Sequence, residues 1–269
     1  MEWKNFFRGL LMGATDLIPG VSGGTVAVIL GIYDRLIVAI SKFFSREWKK
    51  QLLFLLPLAI GMATAIFSLS HLIKWLLKYY PQPTYFFFIG LILGIVPFLL
   101  RKVNYKKTFQ MRHYIVTVLA GIMLALTAFI TEKDVAIIEK LTLANGIDLF
   151  FSGWLASTAM LLPGISGSFV LVLLGKYETV LTAIAHINLP VIFVVAFGIV
   201  VGFILTSKFI HYILRVIPIT TYALIVGMLL GSIVVIFPGV EKNLFLLFLS
   251  LATFVIGFFL AYTIGKYEH

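Results

Sequence analysis

The chain carries one acid in an otherwise apolar stretch, Asp16, three residues ahead of Pro19-Gly20. Behind that pair come Ser22, Gly23, Gly24 and Thr25, in "TDLIPGVSGGT". Hydroxyls and close-approach glycines at the start of a helix present unpaired backbone N–H groups and a partial positive charge, which suit a phosphate or carboxylate. The grouping returns as "LLPGISGSF", with Pro163, Gly164, Ser166, Gly167 and Ser168. Anion binding is the chemistry these residue types offer, and close helix packing is the other use of such small side chains. Asp16 also has two uses. A carboxyl in apolar surroundings can take up a proton or a sodium ion and couple movement to a gradient, or it can cap a local amide. At the matching place in the second copy stands Met160.

Other chemistries find little support. Neither copy reads G-x-x-x-x-G-K-[ST], which argues against nucleotide hydrolysis. The five histidines are scattered, no paired acidic metal motif appears, and Asp16 has no base or nucleophile nearby in sequence, so a membrane lipid phosphatase is the weakest reading. No metal or cofactor is expected. With no cysteine among 269 residues, disulfides and thiolate metal sites are impossible.

The elements that must hold these residues are membrane helices. Hydrophobic residues make up 61% of the chain and charged ones 12%, against roughly 25% charged in soluble domains; the mean hydropathy is +1.08. Apolar runs at about 51–79, 85–100, 113–131, 189–217, 222–237 and 244–264 approach or exceed the roughly 20 residues that cross a bilayer. The formal charge of +10 sits mostly between these runs, which points to membrane topology and not to nucleic acid. The N-terminus resembles a signal peptide only briefly. Asp16 and Pro19 interrupt its apolar run, no A-x-A-like cleavage site follows, and it reads as mature sequence.

The order of elements repeats. Over 24 positions from Leu17 and from Leu161, 12 are identical at an offset of 144, and the later spans align at an offset of 137: Gly61 on Gly198, Pro81 on Pro218, Tyr85 on Tyr222, Gly90 on Gly227 and Gly94 on Gly231. Ordered Gly, Pro and Tyr matches exceed what apolar low complexity produces. The expectation is a single membrane domain of two repeats, 1–135 and 145–269, with the boundary near 132–145.

Pro-Gly makes a continuous helix through either phrase costly, and broken backbone at membrane depth survives only when buried in protein or lining a wet cavity. The sequence therefore predicts that residues 4–42 form a helix, an unwound turn at "PGVSGGT" and a second helix returning to the same side, with the segment around "PGISGS" doing likewise. One kinked spanning helix per phrase is the competing reading. A hairpin plus three spans makes the two halves inverted. That arrangement puts 15 of the 21 Lys and Arg residues on the side of the N-terminus and leaves Glu132, Asp134, Glu139, Asp148, Glu178 and Glu241 opposite. The positive-inside bias then sets both termini in the cytoplasm of a multi-pass bacterial membrane protein. Lys74, Lys208, His211 and Arg215, late in the two long spans, and Arg35 in the first phrase are candidates for contact with lipid headgroups.

The pair "MGATDLIPGVSGGTVAVILGIYDRL" and "AMLLPGISGSFVLVLLGKYETVL" resembles the two signatures of a bacterial membrane family formerly catalogued as a domain of unknown function, the PopT polyprenyl-phosphate transporters, and the likeness covers essentially the whole chain. The resemblance implies translocation of undecaprenyl phosphate, the carrier lipid of cell-wall synthesis, from the outer leaflet to the cytoplasmic one. Carried onto this chain, its motif positions are Asp16, Pro19, Gly20, Ser22, Gly23, Gly24 and Thr25, then Pro163, Gly164, Ser166, Gly167 and Ser168. Inverted repeats with discontinuous helices are a transporter design with substrate held near the midplane. Membrane lipids and a lipid phosphate are the expected partners, with proton or sodium coupling at Asp16. A secondary transporter of a small soluble anion or ion is the alternative.

Overall fold

In the computed structural model the chain is all-α. Residues 3–18, 20–130, 138, 141–241 and 243–267 are described; Pro19, Lys242 and most of the expected boundary between halves lie outside them. The helices are α1 (Lys4–Asp16), α2 (Gly23–Ile29), α3 (Tyr33–Ser41), α4 (Trp48–Tyr79), α5 (Pro81–Lys102), α6 (Tyr105–Thr108) and α7 (Met111–Leu126, continued by a 3₁₀ turn), then α8 (Leu143–Leu161), α9 (Gly167–Leu173), α10 (Tyr177–Ala185), α11 (Leu189–Val216), α12 (Pro218–Ile236) and α13 (Leu244–Tyr267).

Among the described residues, six helices are long and apolar enough to cross a membrane: α4, α5, α7, α11, α12 and α13. They match the six apolar runs, extended by a turn where prolines permit. Pro81 and Pro218 open α5 and α12, where a missing N–H costs nothing and the fixed φ suits the first turn. The outer helices show large apolar side chains to the lipid, such as Phe67 of α4 and Phe248 of α13. Helices α5 and α12 form the centre, where Ile95 and Leu229 are fully buried.

Glycine decides which helices pair. A Cβ on Gly61 of α4 would strike the Phe6 carbonyl of α1, and a Cβ on Gly198 of α11 would strike the Phe150 carbonyl of α8. Likewise Gly90 of α5 meets the Phe254 carbonyl of α13, and Gly227 of α12 meets the Thr117 carbonyl of α7. Phe6 and Phe150 are 144 apart, Thr117 and Phe254 137 apart, so the seams recur in register. Helix α7 packs on α12, and α13 packs on α5. Small residues let backbones approach this closely in lipid, where dispersion and not hydrophobicity drives association.

The phrase is broken twice. The unwound turn between α1 and α2 stands where the sequence places it, with Gly20 at φ 81° and its counterpart Gly164 at φ 90°. The single returning helix does not form: Gly31 (φ 64°) and Gly175 (φ 66°) divide it, and α10 leaves α9 at a bend of 115°. Both glycines take the left-handed backbone that a side chain resists. Helix α2, seven residues long, rises only about 10 Å. Helix α3 lies along α11, whereas α10 makes no comparable packing against α4.

Candidate anion site where the broken helices meet

Helix α1 stops at Asp16, and its carboxylate Oδ1 accepts a hydrogen bond from the Gly23 N–H at 2.6 Å. Ser22 caps the same helix start, its hydroxyl accepting from the Gly24 N–H at 3.1 Å. The first two free donors of α2 are thus taken by side chains of the first phrase, one of them by an anion. Amide capping, one of the two uses open to Asp16, is what its carboxylate does in this conformation. A Cβ on Gly23 would stand 2.9 Å from both carboxylate oxygens, so only glycine admits the contact.

Thr25 joins the two phrases. Its hydroxyl accepts from the Gly164 N–H at 2.8 Å, and the Gly24 backbone is so close to the Met160 carbonyl that a Cβ there would lie 2.9 Å away. The Tyr33 hydroxyl donates to the Leu161 carbonyl at 2.9 Å. Helix α12 backs both turns: Gly164 lies against the Met228 carbonyl and Gly20 against the Ile236 side chain.

The second tip is built from like parts in a different state. The Ser166 and Ser168 hydroxyls are 2.8 Å apart, Ser166 buried and Ser168 exposed. No side chain caps α9. Met160 packs on Gly167 as Asp16 packs on Gly23, but a thioether cannot engage the amide as a carboxylate does. The structure therefore brings Ser22, Gly23, Gly24 and Thr25 together with the Pro163–Gly164 turn, and leaves Ser166, Gly167 and Ser168 at a second tip whose helix start no side chain caps.

A cavity of about 180 Å³ opens beside Asp16, with Gly23, Gly24 and Met160 in its wall and Met62 and Phe203 closing it from α4 and α11. A larger groove of about 420 Å³, almost wholly apolar, runs between α4, α5 and α13 and reaches Ile18 at the first turn.

The candidate headgroup residues stand apart from this cavity. Arg35 donates to the Gln51 side-chain oxygen at 2.6 Å and lies over the Phe54 ring at 4.7 Å, which makes it a tie between α3 and α4. His211 pairs with the Ser41 hydroxyl at 3.1 Å, joining α11 to α3. Lys74, Lys208 and Arg215 are exposed. A cluster that sequence reasoning missed lies nearby: the Tyr222 hydroxyl donates to Asp34 at 2.8 Å, and Lys102 Nζ stands 2.8 Å from the same carboxylate. The signal was present in the acid of the repeated phrase and in the match of Tyr222 to Tyr85.

Six apolar spans packed with two broken segments whose turns touch fit the class of membrane transporters, in which discontinuous helices meet inside the bundle. The family follows from comparison: the model described as VCA0040-like, undecaprenyl phosphate translocase-like, matches residues 12–251, and the chain belongs to that family. It is 44% identical to a polyprenyl-phosphate transporter of Staphylococcus aureus, over 98% of this chain and 96% of that one. It is 36% identical to a polyprenyl-phosphate transporter of Vibrio cholerae, over 88% of this chain and 78% of that one. No solved structure gives a significant match. The family is one of transporters and not of enzymes. Among the described residues no group of three or more His, Asp or Glu could hold a metal ion.

Proposed function

We propose that the chain moves undecaprenyl phosphate, or a similar polyprenyl phosphate, from the outer to the cytoplasmic leaflet of the bacterial membrane by alternating access. The observation that carries this is the meeting of the two turns through Thr25 and Gly164, beside a helix start that already holds an anion, the Asp16 carboxylate. Both relatives are named as polyprenyl-phosphate transporters. The architecture is read as two inverted repeats, 1–135 and 145–269, with re-entrant tips and both termini in the cytoplasm, in which rocking of the halves exposes the site to each leaflet in turn.

A lipid phosphate must carry its charge through roughly 30 Å of hydrocarbon. Donors from Ser22, Gly23, Gly24, Thr25, Ser166, Gly167 and Ser168 replace the water around it, while the tail stays in lipid or in the apolar groove that reaches Ile18. Asp16 supplies the coupling. Its carboxylate and a phosphate are both anions and cannot share the Gly23 amide, so neutralisation of Asp16 by a proton or sodium ion releases that donor to the phosphate. Return of the empty carrier restores the cap.

Proteoliposomes loaded with labelled polyprenyl phosphate test this. Protein-dependent exchange between leaflets, with gradient dependence that Asp16→Asn abolishes, is the expected result. Uptake of a soluble anion without lipid movement overturns the substrate, and wild-type transport that is flat across pH and sodium overturns the coupling.

A further inference from the structure

Two contacts tie the start of α3 to the later part of the chain, and each has an unmade twin. The Tyr222 hydroxyl of α12 donates to Asp34 at the start of α3, at 2.8 and 3.0 Å to its two oxygens, and the Tyr33 hydroxyl donates to the Leu161 carbonyl at 2.9 Å. At an offset of 144, Asp34 falls on Glu178, Tyr33 on Tyr177 and Leu161 on Leu17; at 137, Tyr222 falls on Tyr85. The chemistry is conserved by position, an acid and a phenol each time. Yet Glu178 and Tyr177 are exposed, and among the described residues neither their side chains nor that of Tyr85 has a hydrogen-bond partner. The packing differs in the same sense, with α3 lying along α11 and α10 not lying along α4.

We propose that Tyr85–Glu178 and Tyr177–Leu17 are a second latch, which closes the opposite side of the molecule when Tyr222–Asp34 and Tyr33–Leu161 open. This rests on the alternating-access reading above. Each latch ties the first residues of a returning helix to the other half, so one closing while the other opens is what an inverted pair of halves requires. The latches are unequal. Lys102 braces Asp34 and lies 5.1 Å from the Tyr222 ring centre, whereas Gly239 occupies the matching position beyond α12. The conformation seen, closed at Asp34, is accordingly the one with the extra charge.

The chain has no cysteine, so paired cysteines report cleanly. A phenol and a carboxylate in contact hold their Cα atoms further apart than the roughly 7 Å a disulfide tolerates, and a short reducible bifunctional thiol reagent is the suitable linker. In proteoliposomes, Tyr222→Cys/Asp34→Cys and Tyr85→Cys/Glu178→Cys should each link, in different populations of molecules. Either link should stop movement of labelled polyprenyl phosphate until it is reduced. Separately, Tyr85→Phe, which deletes one hydroxyl unbonded here, should leave folding intact and slow transport by about tenfold, the weight of one hydrogen bond to a carboxylate, whereas Glu178→Gln, which removes the charge but keeps an acceptor, should slow it less. Lipid movement by a protein in which Tyr85→Cys/Glu178→Cys never links, or links without inhibition, overturns the latch. Exclusive linking in a protein that moves no polyprenyl phosphate sustains the latch and overturns the substrate instead.

Discussion

In the first phrase all seven residues of α2 are buried, its first two amides are capped from within, and α3 is held by Tyr222, Lys102 and His211. From Met160 to Ala185 the second phrase repeats the pattern with other outcomes. Only Gly167 and Leu171 of α9 are buried, no side chain caps it, and α10 stands away from α4. The seams beneath are alike, Gly61 on Phe6 and Gly198 on Phe150. The glycine seams are thus alike while the tips differ, and a difference confined to the tips and the proposed latches is what the alternating-access proposal needs.

The sharpest way to break this comparison is to attack the scaffold. Gly61→Leu and Gly198→Leu each drive a side chain into a backbone carbonyl that cannot withdraw, and each should cost about 3 kcal/mol, read as loss of thermal stability in detergent. The two losses should agree within about 1 kcal/mol. If one variant is tolerated and the other unfolds, the seams are not equivalent.

A smaller effect tests the tips. Thr25→Val keeps the shape of the side chain but leaves the buried Gly164 N–H without its acceptor, at a cost of about 2 kcal/mol, and Thr25→Ser should restore most of it. Ser168→Ala in the exposed tip should move stability by less than about 0.5 kcal/mol while raising the lipid-phosphate concentration needed for half-maximal transport. Equal loss of stability in both variants would mean the second tip is as tightly built as the first.

Much of this could be read before the fold was known. Six spans and the breaks beside the Pro-Gly pairs follow from apolar runs and from Gly and Pro in the sequence, because helix length and backbone breaks are local properties. The second break was legible in principle, since "LGIYD" and "LGKYE" repeat the glycine, but a lone glycine between apolar runs does not announce a left-handed φ. Pairing of α5 with α13 and of α7 with α12 was not legible, because it depends on which faces of four distant helices carry Gly90, Gly257, Gly121 and Gly227. Nor was the asymmetry at Thr25, whose hydroxyl serves Gly164 139 residues away. The tie from Arg35 to the fully buried Gln51 was not legible either, since it joins helices that the sequence does not show to be adjacent at that face.

The finest test uses two tyrosines at one repeat position. Tyr33 is buried and donates to the Leu161 carbonyl, so Tyr33→Phe strands an acceptor and should cost about 1 kcal/mol of thermal stability. Tyr177 is exposed, and Tyr177→Phe should cost nothing measurable in the resting protein. Transport separates them differently. Loss of the Tyr33 bond weakens the closed side and favours opening there, whereas loss of the Tyr177 hydroxyl removes a contact made only after the molecule has switched, so its effect falls on the rate and not on the resting stability. Matched stability losses at Tyr33 and Tyr177 would mean that the two sides are already closed alike, and the asymmetry between the phrases would then carry no information about the transport cycle.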